Sequence, residues 1–178
     1  ADLVIVAGRP SMGKTVLGLN IAENVAMSSE KPVLIFSMEM PKEALVMRGL
    51  SSLGRVNQAD LRSGNLNDEQ WSKVFSTMEL MSDQMNLYID DTPALSPQEL
   101  RSRARRLARQ HKGLSLIVID YLQLMQVPGT SESRTNEVSE ISRQIKSLAK
   151  ELKVPIVALS QLSRKTEERA DKRPMMSD

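Results

Sequence analysis

The octapeptide Gly8-Arg9-Pro10-Ser11-Met12-Gly13-Lys14-Thr15 stands between an apolar run, Leu3-Val4-Ile5-Val6-Ala7, and a stretch carrying Leu17, Ile21 and Val25 at a spacing of four. It fits the pattern G-x-x-x-x-G-K-[ST] at every fixed position, in the strand–loop–helix context that pattern requires. The physical reasons are specific. Gly8 and Gly13 let the backbone turn tightly and approach phosphate oxygens. The N–H groups from Ser11 to Thr15 form an anion nest at a helix start. Lys14 offers a mobile positive charge to β- and γ-phosphates, and the Thr15 hydroxyl is placed to ligate magnesium. The expected ligand is ATP with Mg2+. The competing reading is a glycine-rich turn with an exposed lysine.

The rest of the chain repeats this alternation. Val33 to Phe36, Leu87 to Ile89, Leu116 to Asp120 and Pro155 to Leu159 read as strands. Helical periods lie between them. One runs from about Gly13 to Met27, and one follows Pro41 with Leu45, Leu50 and Leu53. A third places Trp71, Val74, Phe75 and Met78 on one face behind a capping box, Asn67 to Gln70. A stronger box, Ser96-Pro97-Gln98-Glu99, opens a helix that stops at Gly113. Val138, Ile141, Ile145, Leu148 and Leu152 form the face of a last helix. Unbroken apolar strands alternating with helices imply a mostly parallel sheet with helices on both faces, an α/β fold. The segment 126–134 and the tail 163–178 read as loops, and no linker divides the 178 residues.

Composition mainly excludes. Without cysteine there is no disulfide, thiol catalysis or zinc–thiolate site, and His111 is the single histidine. That composition fits the cytoplasm. No apolar run approaches the roughly 18 residues of a membrane span, so no membrane partner is expected. A net charge of +2 does not distinguish nucleic-acid binding from ordinary solubility. The basic stretch Arg101, Arg103, Arg105, Arg106, Arg109, His111 and Lys112 surrounds most of one helix, leaving Leu100, Ala104, Leu107 and Ala108 to pack. It reads as a solvated face, with contact to an acidic neighbour as the next choice. The few aromatics fall mostly in core periods, which disfavours base stacking. The eleven methionines are expected to fill gaps in the core.

Three further positions carry candidate chemistry. Asp120 ends a buried strand, where an acid beside a phosphate loop holds magnesium through water, or caps the next turn. Glu39, in Ser37-Met38-Glu39-Met40-Pro41, is as readily a general base as a first-turn glutamate. Ser160-Gln161 is a polar strand terminus whose amide can hydrogen-bond a γ-phosphate.

Taken together, GRPSMGKT (8–15), KPVLIFSMEM (31–40), RSRARRLAR (101–109), LIVIDYLQLM (116–125), EISRQIKSLAKELKVPIVALSQLSR (140–164) and ERADKRP (168–174) resemble the RecA-like ATPase domain of the bacterial replicative DNA helicases, the DnaB family. The resemblance implies a RecA-like P-loop NTPase that hydrolyses ATP, translocates on single-stranded DNA and works as a homo-hexamer with a primase and a helicase loader. It implies Glu39 as catalytic base, Gln161 as γ-phosphate sensor, and loops 126–134 and 163–174 at the central channel or subunit boundary. On this reading Gln161 ends the strand between the phosphate loop and Asp120, and Glu39 follows the strand next to Asp120. Residues 1–178 are then an incomplete ATPase domain, without the family's amino-terminal domain and carboxyl-terminal end, so that binding is expected more firmly than turnover. A RecA-like recombinase and a non-motor nucleotide switch are the rival functions.

Overall fold

The computed structural model describes residues 1–127, 134–162 and 173. Five strands, β1 (Leu3–Gly8), β2 (Val33–Ser37), β3 (Leu87–Asp90), β4 (Leu116–Asp120) and β5 (Ile156–Gln161), form one sheet in the order β1-β5-β4-β2-β3. Every pairing is parallel. The helices are α1 (Lys14–Ser28), α2 (Lys42–Gly54), α3 (Gln58–Ser63), α4 (Asp68–Asp83), α5 (Pro97–Gln110) and α6 (Arg134–Leu152), with a 3-10 turn at Leu122–Leu124. The short α3 has no counterpart in the sequence reading.

Successive strand residues point to opposite faces, so an unbroken apolar strand feeds two cores. On one face Leu34, Phe36, Ile117, Ile119, Ile156 and Ala158 meet Leu100 and Ala104 of α5 and Ile141, Ile145 and Leu148 of α6. On the other, Val33, Ile35, Leu116, Val118, Val157 and Leu159 meet Leu19, Ala22 and Ala26 of α1 and Leu45 of α2. Every residue of β2 and β4 is buried. β1 departs from the expectation of a buried strand. It is paired only with β5 among the described residues, and Val4 and Ile5 are each about half exposed.

Both capping boxes form. Asn67 and Gln70 exchange side-chain and backbone hydrogen bonds at the start of α4, and Ser96 and Glu99 do so at α5. Each satisfies helix-end N–H groups, worth about 1 kcal/mol per cap. α5 ends at Gln110, and Gly113 takes φ +127° just beyond it.

Two helix faces differ from their apolar stripes. α1 buries Gly18, Leu19, Ala22, Glu23 and Ala26, while Leu17 is half exposed and Ile21 and Val25 only partly covered. The small residues let the helix lie close on the sheet: a Cβ at Gly18 would come within 3.2 Å of Leu159 and 3.4 Å of Val118. In α4 only Val74 of the four expected residues is buried. Trp71 and Phe75 stack on each other, ring centroids 5.8 Å apart, and stay largely exposed with Met78. The methionines divide similarly, Met38, Met85 and Met125 buried and Met12, Met27 and Met78 exposed.

Candidate nucleotide site

β1 ends at Gly8 and α1 begins at Lys14, so the loop between them lies at the carboxyl edge of the parallel sheet. That is where ligands of open α/β sheets bind. Gly13 caps α1 at φ +83°, a conformation that favours glycine, and contributes no side-chain cap. In α4 and α5 a side chain occupies that role, whereas at α1 the first-turn N–H groups remain available to an anion. Ser11 also takes a positive φ, 61°. Within the loop Lys14 Nζ donates to the Arg9 carbonyl at 2.9 Å and the Met12 N–H to the same carbonyl at 3.4 Å.

The loop borders two clefts. One, of about 410 Å³, is lined by Pro10, Ser11, Gly13, Lys14, Thr15, Glu39, Met40, Arg48 and Gln161. It lies within the size range of small-molecule sites. Gly8, Arg9 and Met12 instead border a second cleft of about 360 Å³, with Val6, Leu17 and Leu162. Lys14 borders both.

Asp120 sits two strands from the loop, yet the Thr15 hydroxyl donates to its Oδ2 at 2.7 Å. The strand order makes this possible, since β5 alone separates β1 from β4. Asp120 is buried, and its Oδ1 has no hydrogen-bond partner. Burial pushes its carboxyl above the usual range; the Thr15 hydroxyl opposes this, Glu39 adds to it, and Lys14 and Arg48 counter it. A buried carboxylate oxygen without a partner, next to a hydroxyl, suits a hydrated divalent cation held largely by a ligand's own phosphates. Among the described residues no cluster of three or more His, Cys, Asp or Glu side chains forms a metal site of the all-protein kind.

Glu39 follows β2, next to β4 in the sheet. Its turn is fixed on both sides: the Met38 N–H donates to the Asp120 carbonyl at 2.9 Å, and the Ser37 hydroxyl to the Met40 carbonyl at 2.7 Å. Glu39 itself is exposed into the cleft. Gln161 reaches it from the end of β5, opposite Gly8 in register.

The sequence reading missed two residues here. Arg48 comes to the cleft from the second turn of α2, its Nε buried without a partner. An arginine at an ordinary helical position has no local signature, and only the packing of α2 brings it there. Gln123, in the turn after Asp120, donates from Nε2 to Ser160 Oγ at 2.8 Å and to the Gln161 carbonyl at 3.1 Å. Its Oε1 accepts from the Gln161 N–H at 3.1 Å.

On the basic helix α5, Arg105, Arg106 and Arg109 are exposed, as expected of a solvated face, but several of its arginines also find acidic partners. Arg101 and Arg105 both pair with Glu151 of α6, and Arg103 grips Asp90 at 2.7 Å and Thr92 at 2.6 Å. Contact with acidic neighbours therefore accounts for three of its arginines. Of the two loops expected at a channel, residues 128–133 of the first and all but Arg173 of the second lie outside the described residues.

The profile of the DnaB-like helicase C terminal domain matches residues 1–178. The chain belongs to that family. This DnaB-like domain is 58% identical to the replicative DNA helicase DnaB of Buchnera aphidicola subsp. Schizaphis graminum, over all of this chain and 38% of that protein. It is 59% identical to the DnaB of Pasteurella multocida over the same share of each. Among solved structures, a DnaB-like replicative helicase, described with its interactions with primase, superposes with a TM-score of 0.92 at 37% identity, covering 99% of this chain and 44% of that one. A solved ATPase domain gives the same TM-score and identity over 63% of its length. The RecA-like fold read from the sequence is thereby established, and the DnaB-like domain spans under two fifths of its curated relatives.

Proposed function

We propose that the chain is the motor domain of a replicative DNA helicase, hydrolysing ATP to move along single-stranded DNA and unwind duplex at the fork. The observation that carries this, within the DnaB-like family, is the Thr15–Asp120 hydrogen bond joining the phosphate loop to the end of β4 beside a cleft shared by Glu39 and Gln161.

In this reading the N–H groups at the start of α1 and the Lys14 ammonium hold the β- and γ-phosphates. Glu39, exposed at the mouth of the cleft, orients and polarises the attacking water. Gln161 hydrogen-bonds the γ-phosphate, and Arg48 adds positive charge to the same wall. Thr15 and Asp120 are the pair that would hold magnesium, which when bound neutralises charge on the phosphate oxygens. Phosphoryl transfer demands mainly positioning and charge stabilisation, which is what this arrangement of loop, hydroxyl and carboxylates offers.

The wider assignment follows from the family. It comprises a homo-hexamer with sites between subunits, single-stranded DNA in its channel, primase and a loader as partners, and a cytoplasmic location. The test is unwinding of a forked duplex by the full-length protein, with ATPase measured with and without single-stranded DNA. Unwinding together with stimulation is expected. Hydrolysis that ignores DNA and never opens a fork refutes the motor reading in favour of a nucleotide switch. Lys14→Ala should abolish nucleotide binding or turnover, and parental turnover in that variant refutes the loop assignment.

A further inference from the structure

The Gln161 main chain is held by a side chain from another element. Gln123 uses both ends of its amide, accepting from the Gln161 N–H and donating to the Gln161 carbonyl and Ser160 Oγ. Gln123 is fastened in turn. Arg134, the first residue of α6, donates from one guanidinium nitrogen to the Gln123 carbonyl at 2.5 Å and the Met125 carbonyl at 3.0 Å. Its other terminal nitrogen pairs with Glu137, whose second oxygen accepts the Val127 N–H at 2.9 Å. An unbroken series of hydrogen bonds thus runs from the cleft wall at Gln161, through Gln123, to the first turn of α6. Gln123 is itself outside the residues that line the cleft.

We propose that Gln123 is a positioning residue that ties the nucleotide-facing end of β5 to the first turn of α6, so that nucleotide contact at Gln161 changes the order of that turn. The proposal rests on Gln161 as the residue that feels the nucleotide. Geometry favours a mechanical link. Three hydrogen bonds to one amide fix its plane, and a shift of Gln161 must either carry Gln123 along or break them. Arg134 grips two carbonyls of the same turn with a planar, forked group, so the shift passes on as a displacement of the α6 end.

The experiment is hydrogen exchange by mass spectrometry on the full-length protein, with and without ATPγS, reading peptides over 135–139 and 160–162. In the parent, nucleotide changes exchange in both. In Gln123→Leu, which keeps size but not hydrogen bonds, the 160–162 amides exchange faster and the nucleotide-induced change at 135–139 shrinks by about fivefold or more. Nucleotide affinity stays at the parental value, which separates positioning from a general loss of structure. Arg134→Ala, at an exposed position that poses little threat to folding, breaks the same series at its far end, so it should suppress the 135–139 response and leave that at 160–162. A parental response at 135–139 in both variants overturns the proposal. So does its absence in the parent, or a loss of nucleotide affinity in Gln123→Leu equal to its loss of response. None of these readings depends on unwinding, so failure of the motor assignment is seen separately.

Discussion

Glu39 and Glu23 are both carboxylates on this side of the sheet, and their surroundings give them opposite uses. Glu39 is exposed at the cleft with its turn pinned by Met38 and Ser37, which suits a group that must meet water in a fixed direction. Glu39→Gln keeps shape and hydrogen-bonding capacity but removes basicity. Nucleotide affinity should persist while hydrolysis falls about 10²–10⁴-fold, as measured by single-turnover kinetics. Unchanged hydrolysis would return Glu39 to a helix-start role. Glu23 is 2% exposed within α1, and its Oε1 is buried without a partner. Burial raises its carboxyl to about 7, with the Ser52 hydroxyl opposing. In the unfolded chain the carboxyl has its ordinary value near 4.5, so between these limits the folded state holds the extra proton. The contribution to stability is complete below about pH 4.5 and is lost as pH rises through about 7. Glu23→Gln should remove that slope and leave the protein on the order of 2 kcal/mol more stable than the parent at pH 8, read from denaturant midpoints. Identical pH profiles for the two proteins would show that Glu23 is not buried in its neutral form.

At the level of elements, local chemistry was legible where a few adjacent residues decide the outcome. The strand–loop–helix order around residues 8–15, the capping boxes at Asn67 and Ser96 and the apolar strands β2 and β4 all form as read. Misreadings arose where partners distant in sequence decide. The stripe Leu17, Ile21, Val25 suggested one face of α1, but closeness to the sheet selected Gly18, Ala22 and Ala26. The α4 stripe omitted that only Val74 and Thr77 are buried on that helix. Arg48 could not be found because nothing beside it in sequence marks it, and Gln123, although inside the family-like segment LIVIDYLQLM, has no chemical signature of its own; the packing of α2 and the turn after Asp120 bring them to their places. The α1 face gives a direct check. Gly18→Val adds branched volume where even a Cβ lies 3.2 Å from Leu159. It should cost about 2 kcal/mol and lower the melting temperature by roughly 4–8 °C. A melting temperature equal to the parent's would mean that α1 has room to move away from the sheet.

Across the whole molecule, the strand order sets the chemistry more than any single side chain does. Placing β5 between β1 and β4 puts Gln161 between the loop and Asp120, while β2 delivers Glu39 from beyond. Four chain segments far apart in sequence meet at one sheet edge because every strand runs the same way. The same order gives β1 a different consequence. Its outer backbone N–H and C=O groups face no strand among the described residues, and Val4 and Ile5 stand half exposed beside them. An apolar margin of this kind is a template on which another extended segment can add. Sedimentation velocity over a concentration series should show less self-association for Val4→Lys, which sets a charge on that margin, than for the parent.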